Sequence, residues 1–157
     1  MLSHISSAPS NRKLDEIDLR LIQALRENAR TSQEDLSRVL ALSRPAIRDR
    51  MRRLESLGVL LGYTIIADWE SLGYPILAFV NVRTNSGTCD EATSIVKSFS
   101  NDGVVVEECY AITGEWCLLA KVRTRTSKDL AQFLDRIKEM PRFSATSTTL
   151  SLSTTSK

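Results

Sequence analysis

The chain has 157 residues, of which 42% are apolar and 25% are charged, which allows one domain or two small ones with packed cores. Its formal net charge of +2 excludes a polycationic chain, and its three cysteines and single histidine lack the spacing of a metal site. No apolar run reaches the length of a transmembrane helix, and residues 1–12 do not have the pattern of a signal peptide. We therefore expect a reduced, cytoplasmic protein with no structural metal and no cofactor.

The charge is unevenly distributed along the chain. Residues 1–66 carry a net charge of +3, whereas residues 67–157 carry −1. A local basic surface is typical of a phosphate-binding face, although many charge runs are simply solvated. The Ser-rich residues 1–13 are predicted to form a flexible arm.

Two amphipathic helices are predicted to follow the arm. Apolar residues recur at helical spacing over about residues 15–28, with Asp15 as a cap at the start. Ser32, with Asp35 three residues later, resembles a capping box and opens a second helix. The pair Ala41-Leu42 then forms a short turn.

A third helix has its own start and stop residues. Ser43 is a good N-cap, Pro45 is tolerated in the first turn, and Gly58 suits the position after a helix end. Residues 44–53 contain five arginines and one aspartate, a formal charge of +4. Three helices with a tight turn before the third predict a helix-turn-helix whose third helix enters the major groove of DNA.

The third helix has an apolar side and a basic side. Helical spacing places Ala46, Ile47, Met51, Leu54 and Leu57 together as core. Arg44 and Arg48, near the helix start, are predicted to contact base edges, and Arg52 and Arg53 to contact phosphates. The complete set of predicted DNA-binding residues is Ser43, Arg44, Pro45, Arg48, Asp49, Arg52 and Arg53.

Two residues of this helix allow alternative roles. Asp49 either accepts a hydrogen bond from cytosine N4 or orders a neighbouring arginine. Arg50 falls inside the apolar arc, where a charge needs a partner. We favour an ion pair with an acidic residue of the first or second helix over a phosphate contact.

The residues after Gly58 predict a wing and then a linker. Residues 59–66 contain two short β-prone pieces around Gly62, consistent with a small hairpin, which completes a DNA-binding domain over residues 14–66. Residues 67–75 are interpreted as a linker in which Trp69 and Leu72 anchor a helical turn.

The rest of the chain predicts alternating strands and helices in the order β-α-β-β-α-β. Strands are predicted over residues 76–83, 104–113, 116–123 and 144–153, and helices over residues 90–100 and from residue 127 to Pro141. This order predicts an α+β, ferredoxin-like domain over residues 76–153, with two helices on one face of an antiparallel sheet. A symmetric partner subunit is the usual cover for the other face. Residues 154–157 form a tail.

These residues together resemble the Lrp/AsnC (feast/famine) family of prokaryotic transcription regulators. The resemblance spans about residues 14–153, and it rests on the order and spacing of several short pieces. They are Leu14-Asp15-Glu16-Ile17-Asp18, Asn28-Ala29-Arg30, Leu42-Ser43, Arg50 to Arg53-Leu54-Glu55, Gly58-Val59, Gly62-Tyr63, Glu108-Cys109-Tyr110 and Thr113-Gly114.

The resemblance implies a winged helix-turn-helix followed by a βαββαβ domain that is called RAM in that family. It also implies homodimers that form through the C-terminal sheets, and often octamers. Because a twofold-symmetric dimer imposes its symmetry on the DNA that it binds, we predict an inverted-repeat site. Many members bind an amino acid between C-terminal domains. The protein is thus expected to be a sequence-specific regulator modulated by an amino acid or related small metabolite, with DNA and a small molecule as partners and no membrane.

In the family, the effector site is built around the loop after the second strand of the C-terminal domain. The resemblance implies that this loop is formed here by Thr113, Gly114, Glu115, Trp116 and Cys117. Family members have an acid where this chain has Cys117, and a thiol cannot replace a carboxylate that binds an ammonium group. Either Glu115 substitutes, or the ligand lacks an ammonium, or the site is vestigial. The hydroxyls of Thr146, Thr148 and Thr149 are further candidates for the same pocket.

The cysteines have both plain and reactive interpretations. Cys109 is interpreted as a small core residue. Cys89 opens a helix, whose N-terminus lowers a thiol pKa. Cys117 beside the effector loop leaves a redox role open, and a bond between Cys109 and Cys117 on adjacent strands also stays open.

Two other functions compete with a ligand-modulated regulator. The departure at Cys117 gives some support to an effector-independent, DNA-architectural protein of the same fold. The other hypothesis is an enzyme. We reject it because residues 14–157 contain no histidine, no Gly-rich phosphate loop and no paired metal ligands.

Overall fold

The computed structural model describes residues 14–153, and the chain divides between Ile66 and Ala67 into two compact units. The predicted arm (1–13) and tail (154–157) lie outside the described residues. Within residues 14–153, no helix is long and apolar enough to cross a lipid bilayer.

The first unit contains three helices that begin at the predicted caps. The side chains of Asp15, Ser32 and Ser43 each accept a hydrogen bond from a backbone N–H in the first turn that follows. Gly58 follows the third helix with a φ of 63°, a left-handed conformation that glycine adopts without strain. The helices are α1 (Glu16–Glu27), α2 (Gln33–Leu40) and α3 (Arg44–Ser56).

The helix-turn-helix forms as predicted. Ala41 ends α2 in a left-handed conformation with a φ of 53°, and the Leu42 N–H donates to the Ser37 carbonyl over 3.0 Å. The Ser37 hydroxyl also donates to the Leu42 carbonyl. These contacts reverse the chain within three residues, so α3 packs against α2 through a core of Leu21, Leu25, Leu36, Leu40, Ile47 and Leu54.

The predicted wing does not form strands. Residues 59–66 have no β-pairing, and the side chains of Leu61, Ile65 and Ile66 are 91%, 79% and 82% exposed. The β-prone sequence is insufficient here because an isolated two-stranded hairpin without a packed face is marginally stable. This segment is therefore an irregular connection with exposed apolar side chains.

The second unit forms the predicted βαββαβ domain. Its four strands lie in the order β2-β3-β1-β4, and every neighbouring pair is antiparallel. The observed elements are β1 (Ile76–Thr84), α4 (Cys89–Lys97), β2 (Val104–Ala111), β3 (Leu118–Thr124), α5 (Ser127–Lys138) and β4 (Phe143–Leu150).

Both helices of this unit contribute to one core on one face of the sheet. Ala78, Val80 and Val82 of β1 alternate with less buried residues, as expected for a strand covered on one side. They form one cluster with buried side chains of α4 and α5, namely Ala92, Val96, Leu130, Phe133 and Ile137.

The segment predicted to be a linker packs on the second unit. The Trp69 ring contacts Tyr74 edge-to-face at 6.1 Å and lies 5.7 Å from the Arg123 guanidinium. The Tyr74 hydroxyl donates to the Asp102 carbonyl over 2.8 Å. The prediction that Leu72 anchors this turn is wrong, since Leu72 is 56% exposed and Tyr74 takes that role.

Candidate nucleic-acid interface and effector loop

The outer face of α3 presents a row of exposed arginines. Arg44, Arg48 and Arg52 follow one another at four-residue spacing, on the side of α3 opposite the buried Ile47 and Leu54. A helix-turn-helix places this face against the major groove. The structure therefore brings together three of the predicted DNA-binding arginines.

These arginines differ in their ion pairs. Arg44 lies 2.8 Å from Glu34 of α2, with both side chains more than half exposed. The Arg48 Nε lies 3.7 Å from the Asp49 carboxylate, which is the arrangement expected if Asp49 orders a neighbouring arginine. Within residues 14–153, Arg52 makes no ion pair. Exposed pairs of this kind contribute little to stability, so they leave the guanidiniums available to DNA.

A buried carboxylate of α1 holds α3 on the side that faces α1. Asp18 of α1 is fully buried and accepts from the Arg50 guanidinium over 2.7 Å and from the Arg53 guanidinium. Arg50 also donates to Asp15 over 2.6 Å. The prediction that Arg50 forms an ion pair with an acidic residue of the first helix is confirmed.

Hydrogen bonding controls the protonation of this cluster. Burial would raise the pKa of Asp18, but hydrogen bonds from Arg53, the Asp15 backbone N–H and Arg50 outweigh burial, and the pKa falls below its usual range. The hydrogen bond from Arg50 likewise lowers the pKa of Asp15, and the same contacts raise the pKa of Arg50. The cluster therefore stays ionised and holds α3 against α1.

Arg53 has a structural contact that the sequence did not indicate. We predicted a phosphate contact for this side chain, and the structure places it on Asp18 with 42% of the side chain exposed. The reason is that Arg53 lies only three residues beyond Arg50, on the side of α3 that faces α1. Asp18 was also missed, although an aspartate among the apolar residues of α1 was a visible sign.

The predicted effector loop connects β2 to β3. Residues 113–115 are exposed, Trp116 is half-buried, and Gly114 has a φ of 109°, which strongly favours glycine. The Cys117 N–H donates to the Val82 carbonyl over 2.9 Å, and the Ile112 N–H donates to the Cys117 carbonyl over 3.0 Å. The loop is therefore anchored beside the end of β1.

Arg83, near the end of β1, contacts two residues of this loop and was not predicted. Its guanidinium pairs with the Glu115 carboxylate, donates to the Glu115 carbonyl over 3.3 Å, and stacks 5.0 Å from the centre of the Trp116 ring. The sign in the sequence was a single charged residue near the end of a mostly apolar strand. Glu115, proposed to replace the missing acid, is thus already paired.

The threonines of β4 do not share one face. Thr146 and Thr148 are opposite Val82 and Val80, on the helix-covered side of the sheet, whereas Thr149 is opposite Phe79. Because neighbouring strand residues point to opposite faces, Thr149 does not share a pocket with Thr146 and Thr148 within this chain.

The cysteines depart from the expectation of a fully reduced chain. Cys89 and Cys117 form a disulfide with their Cα atoms 5.4 Å apart, whereas Cys109 stays free. The topology explains the pairing, because Cys117 lies beside the end of β1 and Cys89 begins the helix that follows β1. Cys109 packs against the sheet core as predicted, and burial raises its pKa to about 11.

The two units match two known domain families. Residues 14–60 match the winged helix-turn-helix DNA-binding family, and residues 77–157 match the Lrp/AsnC ligand binding domain. A helix-turn-helix with an exposed basic face, joined to a ligand-binding domain, defines a DNA-binding transcription regulator.

Whole-chain relatives agree with this class. The chain is 33% identical to the HTH-type transcriptional regulator FL11 of Pyrococcus horikoshii over 141 residues, which cover 90% of this chain and 91% of the relative. It is 30% identical to the crystallised leucine response regulatory protein LrpA of Mycobacterium tuberculosis, with a TM-score of 0.78, covering 92% and 96% of the two chains. A Neisseria meningitidis regulator, solved as an L-Met complex, shares the fold at 23% identity with a TM-score of 0.77, covering 90% and 91%. The chain belongs to the Lrp/AsnC family of transcription regulators.

Proposed function

We propose that α3 inserts into the major groove of double-stranded DNA and recognises an inverted-repeat operator. The observation that carries this proposal is the exposed row of Arg44, Arg48 and Arg52 opposite the buried side of the helix. Arg44 and Arg48, near the N-terminus of α3, contact base edges, because arginine binds guanine in two hydrogen bonds. Arg52, further along the helix, contacts phosphates.

The other predicted residues support this contact. Ser43 and Pro45 place the start of α3 at the DNA, and Asp49 orients Arg48 through their 3.7 Å contact. Arg53, with 42% of its side chain exposed, contacts a phosphate while Asp18 orients it.

Operator selection from a random DNA pool, followed by binding titrations at several salt concentrations, tests these roles. Arg48→Ala is expected to cost about 1–3 kcal/mol on the selected site and to relax base choice at one position of each half-site. Arg52→Ala is expected to weaken all sequences equally and to reduce the salt dependence by about one phosphate contact. Arg26→Ala, which removes an exposed arginine of α1, is the matched control. Unchanged binding by both α3 variants would contradict the proposed orientation.

We also propose that the loop formed by residues 113–117 binds an amino acid or a related small metabolite. Arg83 offers a guanidinium for a carboxylate, Glu115 offers the one acid of the loop for an ammonium, and Trp116 offers an apolar surface. The Neisseria regulator solved with L-methionine supports an effector of this class.

Tryptophan fluorescence tests this loop directly. In a Trp69→Phe background, Trp116 is the single remaining tryptophan, so its emission reports occupancy of the loop during titration with a panel of amino acids. We expect a saturable change with one compound, lost in Arg83→Gln and kept in Lys128→Gln, which removes an exposed charge elsewhere in the domain. A response that survives Arg83→Gln would place the ligand elsewhere.

The regulator is further proposed to act in the cytoplasm as a homodimer that assembles into larger rings, such as octamers. The sheet face opposite the helices carries Phe79 and Leu119, which this chain alone only half-buries. A second copy related by twofold symmetry covers such a face and also gives the DNA site its twofold symmetry.

An effector-independent, DNA-architectural function is the second candidate, and one observation favours it. The acid expected of the family is replaced by Cys117, whose sulfur is bonded to Cys89, and Glu115 is paired with Arg83. No fluorescence response to any compound, together with long and weakly specific footprints on DNA, would support this candidate over a ligand-modulated regulator.

A further inference from the structure

Two cysteines meet where the effector loop joins the sheet. Cys117 is the last residue of the loop before β3, and Cys89 is the first residue of α4. Their disulfide therefore connects the loop to a helix that is distant in sequence, since Cys89 lies 28 residues before Cys117. Neither the helix-turn-helix function nor the proposed effector contacts use this bond.

Contacts that do not depend on the disulfide also hold both cysteines in place. The Cys117 N–H is bonded to the Val82 carbonyl over 2.9 Å. The start of α4 is held by a capping box between Thr88 and Glu91, and Glu91 also pairs with Arg142 over 3.0 Å. Because a Cα separation of 5.4 Å lies within the normal disulfide range, the reduced cysteines stay close enough to bond again.

The two sulfur atoms differ in access, and the third cysteine does not compete. Cys89 is half-buried at the surface, whereas Cys117 is only 8% exposed. Cys109 packs against the sheet core, and its raised pKa of about 11 keeps it a thiol at neutral pH. An oxidant in solution therefore reaches Cys89 first, and Cys117 is the neighbour that completes a bond.

We propose that Cys89 and Cys117 are a reversible redox pair that is oxidised by hydrogen peroxide and that fastens or releases the effector loop. The effect of this redox pair on effector binding rests on the proposed function, in which residues 113–117 bind the effector. In the oxidised form the disulfide ties the loop to α4, and in the reduced form the loop is held by its hydrogen bonds and by Arg83 alone.

The chemistry is balanced by one peroxide molecule. The Cys89 thiolate attacks one peroxide oxygen, the O–O bond breaks, and the leaving hydroxide takes a proton to become water, which leaves a sulfenic acid on Cys89. The Cys117 thiolate then attacks the Cys89 sulfur, the S–O bond breaks, and a second water leaves. The two thiols lose two electrons and two protons, and peroxide gains them as two waters. A dithiol reductant reverses the change by thiol–disulfide exchange.

The proposed cytoplasmic location favours a reversible disulfide over a permanent one. In the cytoplasm, cellular thiols keep most cysteines reduced, and the disulfides that do form are usually transient or serve redox sensing. A bond at the base of a ligand loop, between a surface cysteine and a buried one, fits a sensing role.

Thiol trapping on the full-length protein tests the redox pair without DNA or effector. The protein is equilibrated in glutathione buffers of graded ratio, its thiols are alkylated, and peptide mass spectrometry locates the modified cysteines. We expect Cys89 and Cys117 to become alkylated together in a cytosol-like buffer, and stoichiometric peroxide to protect them again, while Cys109→Ser behaves as wild type. A bond that survives the reducing buffer, or thiols that peroxide does not join, would overturn the proposal.

Acrylamide quenching of Trp116 in the Trp69→Phe background tests the output. We expect the reduced wild-type loop to be more accessible to acrylamide than the oxidised loop, and Cys89→Ser to match the reduced form under both conditions. Equal quenching in the two redox forms of the wild-type loop would overturn the switch, whether or not Cys89→Ser folds. An amino acid that binds the loop is expected to differ about fivefold or more in affinity between the two forms. Equal affinities would also overturn the switch, whereas loss of all effector binding would contradict only the proposed function, since the trapping and quenching results do not depend on it.

Discussion

Asp18→Asn tests whether the buried carboxylate fixes the DNA-binding helix. Asp18 is fully buried and receives two guanidiniums, from Arg50 and Arg53. The substitution leaves Arg53 without its carboxylate, while Arg50 keeps Asp15 at 2.6 Å. Removing one partner of a buried ion pair costs about 3–5 kcal/mol, because the other charge is left uncompensated.

The exposure of the two arginines reduces this magnitude. Their side chains are 25% and 42% exposed, so water partly solvates the freed guanidiniums, and the asparagine oxygen still accepts one hydrogen bond. We therefore expect a loss of about 2–3 kcal/mol in the free energy of unfolding of the first unit.

The two units allow this loss to be localised. Trp69 and Trp116 both lie in the second unit, so urea unfolding followed by tryptophan fluorescence reports that unit alone. Circular dichroism at the helical band also reports the three helices of the first unit. We expect Asp18→Asn to move the helical transition to lower urea and to leave the fluorescence transition unchanged.

Asp49→Asn is the matched control, because it removes the same charge from an exposed position on α3. Its effect is expected to stay within about 0.5 kcal/mol, as for most surface substitutions. If Asp18→Asn shifts the helical transition no more than Asp49→Asn, the cluster does not stabilise the unit and the reasoning is refuted.

Three further predictions concern Asp18, Arg53 and Phe79. The pKa of Asp18 is lowered in the folded state, so its stabilisation is present above the ordinary carboxyl value of 3.8 and is lost as pH falls through the folded value. Acid unfolding of the first unit is therefore expected to be less steep in Asp18→Asn, and identical steepness would contradict this cause. Arg53→Ala is expected to lower both DNA affinity and the stability of the first unit, whereas Arg52→Ala lowers affinity alone, as parallel DNA-binding and urea titrations would distinguish. Phe79→Asp is expected to give monomers by analytical ultracentrifugation, with Leu72→Asp as an exposed control, and dimers in both variants would place the interface elsewhere.

Local chemistry was sufficient to predict most elements of the fold. The caps Asp15, Ser32 and Ser43 act on the backbone within three residues, so the helix starts could be predicted from sequence alone. Alternating burial along β1 and the apolar spacing of α5 depend on the periods of strand and helix, which are also visible in the chain. The wing failed because pairing requires a neighbouring strand, which local propensity does not supply.

The DNA-binding face could be predicted from the sequence, but the contacts of the effector loop could not, because only the first depends on local spacing. The exposed arginines of α3 are separated by one helical turn, so their common face followed from spacing. Arg83 and Glu115 are 32 residues apart, and their contact exists only because β1 pairs with β3 and brings the loop to the end of β1. The family resemblance identified the loop but not this arginine, because one side-chain contact between distant segments leaves no periodic pattern.

By itself, the sequence determined the class of this protein: a basic helix-turn-helix followed by a βαββαβ domain, because caps, periodicity and local charge act over a few residues. Only the tertiary structure decided which charges are neutralised and which cysteines meet. Asp18 lies 32 residues before Arg50, and Cys89 lies 28 residues before Cys117. Such pairs form where helices pack and strands align, and packing brings together residues whose separation along the chain carries no sign of their contact.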